Sequence, residues 1–200
     1  MEKSQKNLTH PRGSENIPAG VPAKGECGII IHEKHKKHEK VFVYSVLFVE
    51  EKIMKMPKIY LDNCTYNRPF DDQSQMKIRL ETESKLYIQS GIRKKKYSLV
   101  WSYVLDYENS NNPYEEKRNA ISPWKEIADD YCPSSDDILA LGIKIMKHGI
   151  KAKDALHIAC AVKSGCDYFI TTDNKLTSKT IANIRIVNPI DFILETESLP

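Results

Sequence analysis

The stretch Lys58-Ile59-Tyr60-Leu61-Asp62-Asn63-Cys64 constrains this chain more than any other. A short apolar, partly β-branched run bounded by polar turn residues reads as a buried strand of a parallel sheet. This one stops on a carboxylate. Ligands of open α/β sheets bind beyond the carboxyl ends of the strands, so Asp62 is placed for chemistry. Its plainer role would be to cap the next helix, as Asp and Asn often do.

Beyond Asp62 the chain alternates between helical and strand patterns. Arg68-Pro69-Phe70-Asp71-Asp72 is a loop into a helix whose apolar stripe is Met76, Ile78, Leu80, Leu86 and Ile88, running to Gly91. The basic run Arg93-Lys94-Lys95-Lys96 then reads either as a solvated loop or as a phosphate-contacting patch. Tyr97 to Trp101 is a second strand, and Ser102 can cap a helix opening at Tyr103. A segment from Tyr114 through Ile127 is broken at Ser122-Pro123. Ser134-Ser135-Asp136-Asp137 caps a helix that Gly149 stops. Lys153 to Val162 is a helix rich in small residues, suited to close packing on a sheet. Asp167 to Thr172 is a strand that again stops on an acid, Asp173. A helix over 176–182, a strand at Arg185-Ile186-Val187 and a closing segment over 190–194 complete the chain. Strands alternating with helices imply a parallel sheet covered on both faces.

Residues 1–26 are rich in Asn, Ser, Gly, Pro and Lys without apolar periodicity, the composition of a disordered segment. Two β-prone runs, Ile29 to Ile31 and Val41 to Val49, flank a charged link and suggest a hairpin, marginal unless it packs on something. Cys27, His32, His35 and His38 lack the paired spacing of structural zinc sites. Met54 and Met56 stand immediately before the first convincing strand, so residues 1–55 are expected to be a poorly ordered or spurious extension of the reading frame.

Charge supports the same division. Residues 1–55 hold 10 Lys/Arg against 7 Asp/Glu, and residues 56–200 hold 20 of each. The net charge of +3 therefore belongs to the first quarter, and the neutral remainder is not built for nonspecific nucleic-acid binding. No apolar run approaches the roughly 20 residues that span a bilayer. Five cysteines without a CxxC pair read as free thiols in a reducing cytoplasm.

Asp62 and Asp173 end strands expected to be parallel, so both project at one sheet edge. Asp154 opens a helix whose start faces that edge, and Glu108 lies one to two turns into a helix leaving it. Carboxylates gathered this way resist full ionisation unless a cation neutralises them. Oxygen-only ligands favour Mg²⁺ or Mn²⁺ over zinc. Singly, each acid has a plainer reading: Asp154 as a helix N-terminal charge, Asp173-Asn174 as a turn, Glu108 as a surface residue.

Four pieces in order, Ile59-Tyr60-Leu61-Asp62-Asn63, Ser102 to Glu108, Lys153-Asp154-Ala155-Leu156-His157-Ile158-Ala159 and Phe169-Ile170-Thr171-Thr172-Asp173, resemble the PIN domain. This is the nuclease fold of VapC-type toxins, and the resemblance covers about residues 57–195. It implies a three-layer α/β fold over 56–197, with a central, mostly parallel sheet flanked by helices. It also implies a metal-dependent endoribonuclease in which Asp62, Glu108, Asp154 and Asp173 hold Mg²⁺ or Mn²⁺. Water activated there would attack phosphorus and leave a 5′-phosphate and a 3′-hydroxyl. Thr171 matches the hydroxyl residue that orients a carboxylate or a water, and Asn63 is a weaker supporting candidate. Should Glu108 be misassigned, Asp106 is the neighbour to suspect, although it points to another helical face. His157 reads as a packed neighbour of the site rather than a ligand, and Cys64 lacks a base for nucleophilic work. The implied role is the toxin of a type II toxin–antitoxin module, cytoplasmic and homodimeric, with RNA as substrate and an antitoxin as partner. The competing class is a noncatalytic PIN-like module binding RNA or protein. A nucleotide-binding Rossmann protein would need a GxGxxG or GxxxxGK run, which the chain lacks.

Overall fold

The computed structural model describes residues 56–197. The expected hairpin and the Cys27, His32, His35, His38 set lie outside the described residues. Five strands form one sheet: β1 (Lys58–Leu61), β2 (Ser98–Ser102), β3 (Asp130–Cys132), β4 (Tyr168–Ile170) and β5 (Arg185–Val187). The order is β3-β2-β1-β4-β5 and every pairing is parallel. The chain winds outward from β1 to β3, then crosses back to lay β4 on the other side of β1. The crevice where the winding reverses, between the carboxyl ends of β1 and β4, is where open α/β sheets bind ligands.

Helices α1 (Asn63–Asn67) and α2 (Met76–Arg93) join β1 to β2, and α3 (Tyr103–Ser110), α4 (Glu115–Ile121) and α5 (Pro123–Ile127) join β2 to β3. The return crossing is α6 (Asp136–Met146) and α7 (Ala152–Lys163). A short α8 (Asn174–Thr177) comes after β4, and α9 (Pro189–Glu197) closes the chain. Successive strand side chains point to opposite faces. Accordingly Phe169 stacks on Tyr60, 5.5 Å between ring centroids, and Tyr60 meets His157 of α7 on one face. Tyr168 meets Phe192 of α9, at 5.1 Å, on the other. Helices therefore cover both faces of a core that includes Ile59, Tyr60 and Leu61 at 0% exposure. Ala155, Ala159 and Ala161 of α7 are fully buried, the close packing that small residues permit. A three-layer, all-parallel α/β domain is the result.

Several elements differ from the sequence reading. Strand β3 has no apolar run to announce it: it is three residues long, and only Cys132 is buried. The expected stripe on α2 is not its buried face. Ile88 is buried, but Met76, Leu80 and Leu86 are 60%, 49% and 47% exposed, while Glu81, Thr82, Lys85 and Gln89 turn inward. The reason is an ion pair: Arg68 Nε lies 2.8 Å from Glu81 Oε2 and anchors the preceding 3₁₀ turn to the helix. Burial lowers the Lys85 ammonium to about 8. At Gly91 the ring of Tyr97 comes so close that a Cβ would stand 2.5 Å from its Cε2, so only glycine fits. The helix expected over 176–182 stops at Thr177, because Ile181 pairs with Ile184 around Asn183, whose φ is +64°. The basic run faces the amino edge of the sheet: Lys95 pairs with Asp129, Lys96 with Glu197, and Arg93 covers the Trp124 ring at 5.0 Å. Protein partners thus engage three of the four cations of this run.

Candidate metal centre

Asp62 sits at the end of β1 and caps α1, its Oδ1 accepting from the Asn63 N–H at 2.8 Å. It does both things the sequence offered, capping a helix and facing the crevice. Its Oδ2 accepts from Thr171 Oγ1 at 2.8 Å and from Cys64 Sγ at 3.0 Å. Thr171, fully buried just past β4, also receives the Asp173 N–H on its hydroxyl oxygen, at 3.1 Å. The two strand ends are thus tied through one hydroxyl. Asp173 caps α8 through the Lys175 N–H at 2.7 Å, and its side chain is exposed.

Glu108 reaches the same crevice from α3. One oxygen is 2.8 Å from His157 Nε2 and the other is paired with Lys153 Nζ. Burial alone would raise the Glu108 carboxyl, but His157 and Lys153 outweigh it and hold the acid below its ordinary value. Behind His157 runs a buried chain: Nδ1 is 2.7 Å from Tyr60 OH, which is 2.6 Å from Ser102 Oγ. Ser102 in turn caps α3, accepting from the Leu105 N–H. Both ring nitrogens of His157 are engaged, so the imidazole orients Glu108 and has no lone pair directed at an open position.

Asp154 sits in the first turn of α7. Among the described residues its carboxylate accepts no hydrogen bond and forms no ion pair. Burial, then the nearby charge of Asp62, and further on Asp173, raise its carboxyl above the ordinary value. Asp106, the alternative to Glu108, points elsewhere: it accepts from Trp101 Nε1, Lys125 Nζ and Tyr131 OH at 2.8, 2.9 and 2.9 Å. Burial and the Asp62 charge push the Cys64 thiol up to about 12, which suits a protonated neighbour and not a nucleophile.

Ligand-type atoms of Asp62, Glu108 and His157 lie within 4.8 Å of one another. Asp154 stands outside that tight group but feels the charge of Asp62 and, further on, of Asp173. The donor chemistry fits a hard divalent cation: the open ligand atoms are carboxylate oxygens, and Asp154 is a half-buried acid facing like charges with no donor among the described residues. Two contributors were not singled out in the sequence. Tyr60 was legible, since a tyrosine inside a buried strand must find a partner for its hydroxyl. Lys153 was less so, because a lysine beside Asp154 gives no sign that it reaches across to α3.

No protein-family model and no curated protein matches the chain. Among solved structures it is similar to a chain in the crystal structure of VapBC2 from Rickettsia felis bound to a DNA fragment from their promoter. The two are 13% identical, the match covers 66% of this chain and 98% of that one, and the TM-score is 0.45. A likeness at that level assigns neither family nor activity to this chain.

Proposed function

We propose that this protein is a PIN-like, divalent-metal-dependent endoribonuclease, and that it serves as the toxin of a toxin–antitoxin pair. The observation that supports the nuclease reading is that ligand-type atoms of Asp62 and Glu108 come within 4.8 Å of one another beside Asp154, whose carboxyl is raised by burial and by the charges of Asp62 and Asp173 and has no donor among the described residues. These four acids would hold Mg²⁺ or Mn²⁺, and the chemistry gained with the ion bound would be a more acidic water and charge stabilisation at the leaving oxygen of a phosphodiester. The chain's own part is orientation. Thr171 and the Asn63 N–H fix Asp62, and His157, braced by Tyr60, fixes Glu108. Lys153, whose side chain is 59% exposed, supplies a cation at the rim where a substrate phosphate would approach.

The toxin role rests on the sequence resemblance. The exposed apolar residues of α2, Met76, Leu80, Leu86 and Tyr87, support a protein partner, either an antitoxin or a second copy in a homodimer. Among the described residues no helix is long and apolar enough to cross a membrane. One feature favours a noncatalytic module instead: the Lys153–Glu108 pair neutralises one acid without a metal.

The deciding experiment compares the wild-type chain with Asp62→Asn for Mg²⁺-dependent cleavage of single-stranded RNA, alongside calorimetric Mn²⁺ binding. Cleavage and Mn²⁺ binding lost together in the variant are expected. Equal activity in both proteins excludes the enzyme.

A further inference from the structure

Beside the acids, between α1, α3 and the turn into α4, lies an open pocket of about 360 Å³, within the range of small-ligand sites. Its walls include Asn63, Tyr107, Asn111, Asn112, Tyr114 and Lys117, and it shares Glu108 and Lys153 with the metal centre. We infer that this pocket holds an unpaired nucleobase of the RNA next to the phosphate being cut, an inference that rests on the nuclease reading.

Three features carry it. Tyr107 and Tyr114 are 65% and 57% exposed, the two most exposed aromatic side chains among the described residues. Neither hydroxyl has a hydrogen-bond partner there, so the fold gains little from either ring, whereas an aromatic face is what a splayed base stacks on. The turn that presents them is braced. Asn111 Nδ2 donates to Tyr107 O at 2.7 Å, the Tyr114 N–H to Asn112 Oδ1 at 3.1 Å, and Arg118 Nη1 to Asn112 O at 2.5 Å. Asn111 Oδ1 in this turn and Asn63 Nδ2 at the start of α1 have no hydrogen-bond partner among the described residues, an acceptor and a donor for a base edge. Finally, Lys117 Nζ lies 4.7 Å from the Tyr114 centroid and has no carboxylate partner among the described residues, which suits it to an adjoining phosphate. A base inside a duplex would first have to be unstacked and unpaired, so the pocket favours a substrate that is single-stranded at the cut.

The test uses full-length protein carrying Asp62→Asn, so that RNA is bound and not consumed, and single-stranded RNA 12-mers with 4-thiouridine at successive positions. Cross-links should map to Tyr107 or Tyr114 from one nucleotide position only. Adding Tyr107→Ala should weaken binding by roughly 5- to 150-fold, the loss expected for one base–aromatic stack. Unchanged affinity, with cross-links elsewhere, overturns the pocket and leaves the nuclease standing if Asp62→Asn alone abolishes cleavage. An inhibitory protein partner that loses affinity for Tyr107→Ala while RNA does not would also overturn it, assigning the surface to protein. If wild-type protein cuts nothing but the cross-links still map to the pocket, the nuclease reading falls and base binding survives.

Discussion

At the amino edge of the sheet, Asp129, Asp130 and Asp167 meet donors. Asp129 accepts from the Leu99 N–H and pairs with Lys95, Asp130 takes Lys58 Nζ and the Tyr131 N–H, and Asp167 takes the Lys58 N–H. At the carboxyl edge the same residue type meets its own kind: Asp154 faces Asp62 and Asp173, with no donor among the described residues. The shifts have opposite signs. At Asp129 burial pushes upward, but Lys95 and the Leu99 N–H pull the carboxyl below its ordinary value; at Asp154 burial and like charge leave it above. The acids of the amino edge are matched with donors, whereas Asp154 stands among like charges, an arrangement more typical of functional sites than of structural ones.

The sharpest way to break this contrast is to neutralise one acid from each edge. Asp62→Asn should reduce RNA cleavage at least about 100-fold, since even groups behind metal ligands are worth roughly 10- to 100-fold. Asp130→Asn should leave kcat/KM within about twofold, because among the described residues its carboxylate bonds only Lys58 and a backbone N–H. Next comes the chain behind Glu108. Tyr60→Phe removes one hydroxyl from a buried network and should raise the Mn²⁺ concentration needed for half-saturation by about 10-fold. A calorimetric titration reads this directly, and unchanged metal binding would reduce Tyr60 to a packing role.

The smallest effects are in stability and should differ in sign. In EDTA, Asp154→Asn should raise Tm by about 1–3 °C and Asp129→Asn lower it by a similar amount. The pH dependence separates them further. Asp154 sits above its unfolded value, so its share of stability is complete below about pH 3.9 and is lost as pH rises through the folded value. Asp129 sits below, so its share is present above about pH 3.9 and is lost as pH falls through the folded value. Thermal melts of the two variants across that range should flatten on opposite sides of it.

The carboxyl edge was far more legible in the sequence than the rest of the fold. Asp62 shows in the sequence because an apolar strand that ends on a carboxylate is a local pattern, whereas Thr171 was pointed to only by the resemblance. Strand β3 escaped because its exposed Asp130 and Tyr131 are held by pairing with Val100 and Trp101, a nonlocal cause. The α2 stripe misled because the Arg68–Glu81 pair, 13 positions apart, turned the polar side inward. The partners of Glu108 belong to the same class. Lys153 and His157 lie on α7, and only the assembled fold brings them to α3.

Asp62 and the hydroxyl that steadies it are separated by 109 positions. Strand β1 leaves the ribosome more than a hundred positions ahead of its neighbour β4 and the acid beyond it. Until β4 has been made, the first carboxylate lacks the hydroxyl that fixes it, so the geometry of this edge is completed only with the return crossing.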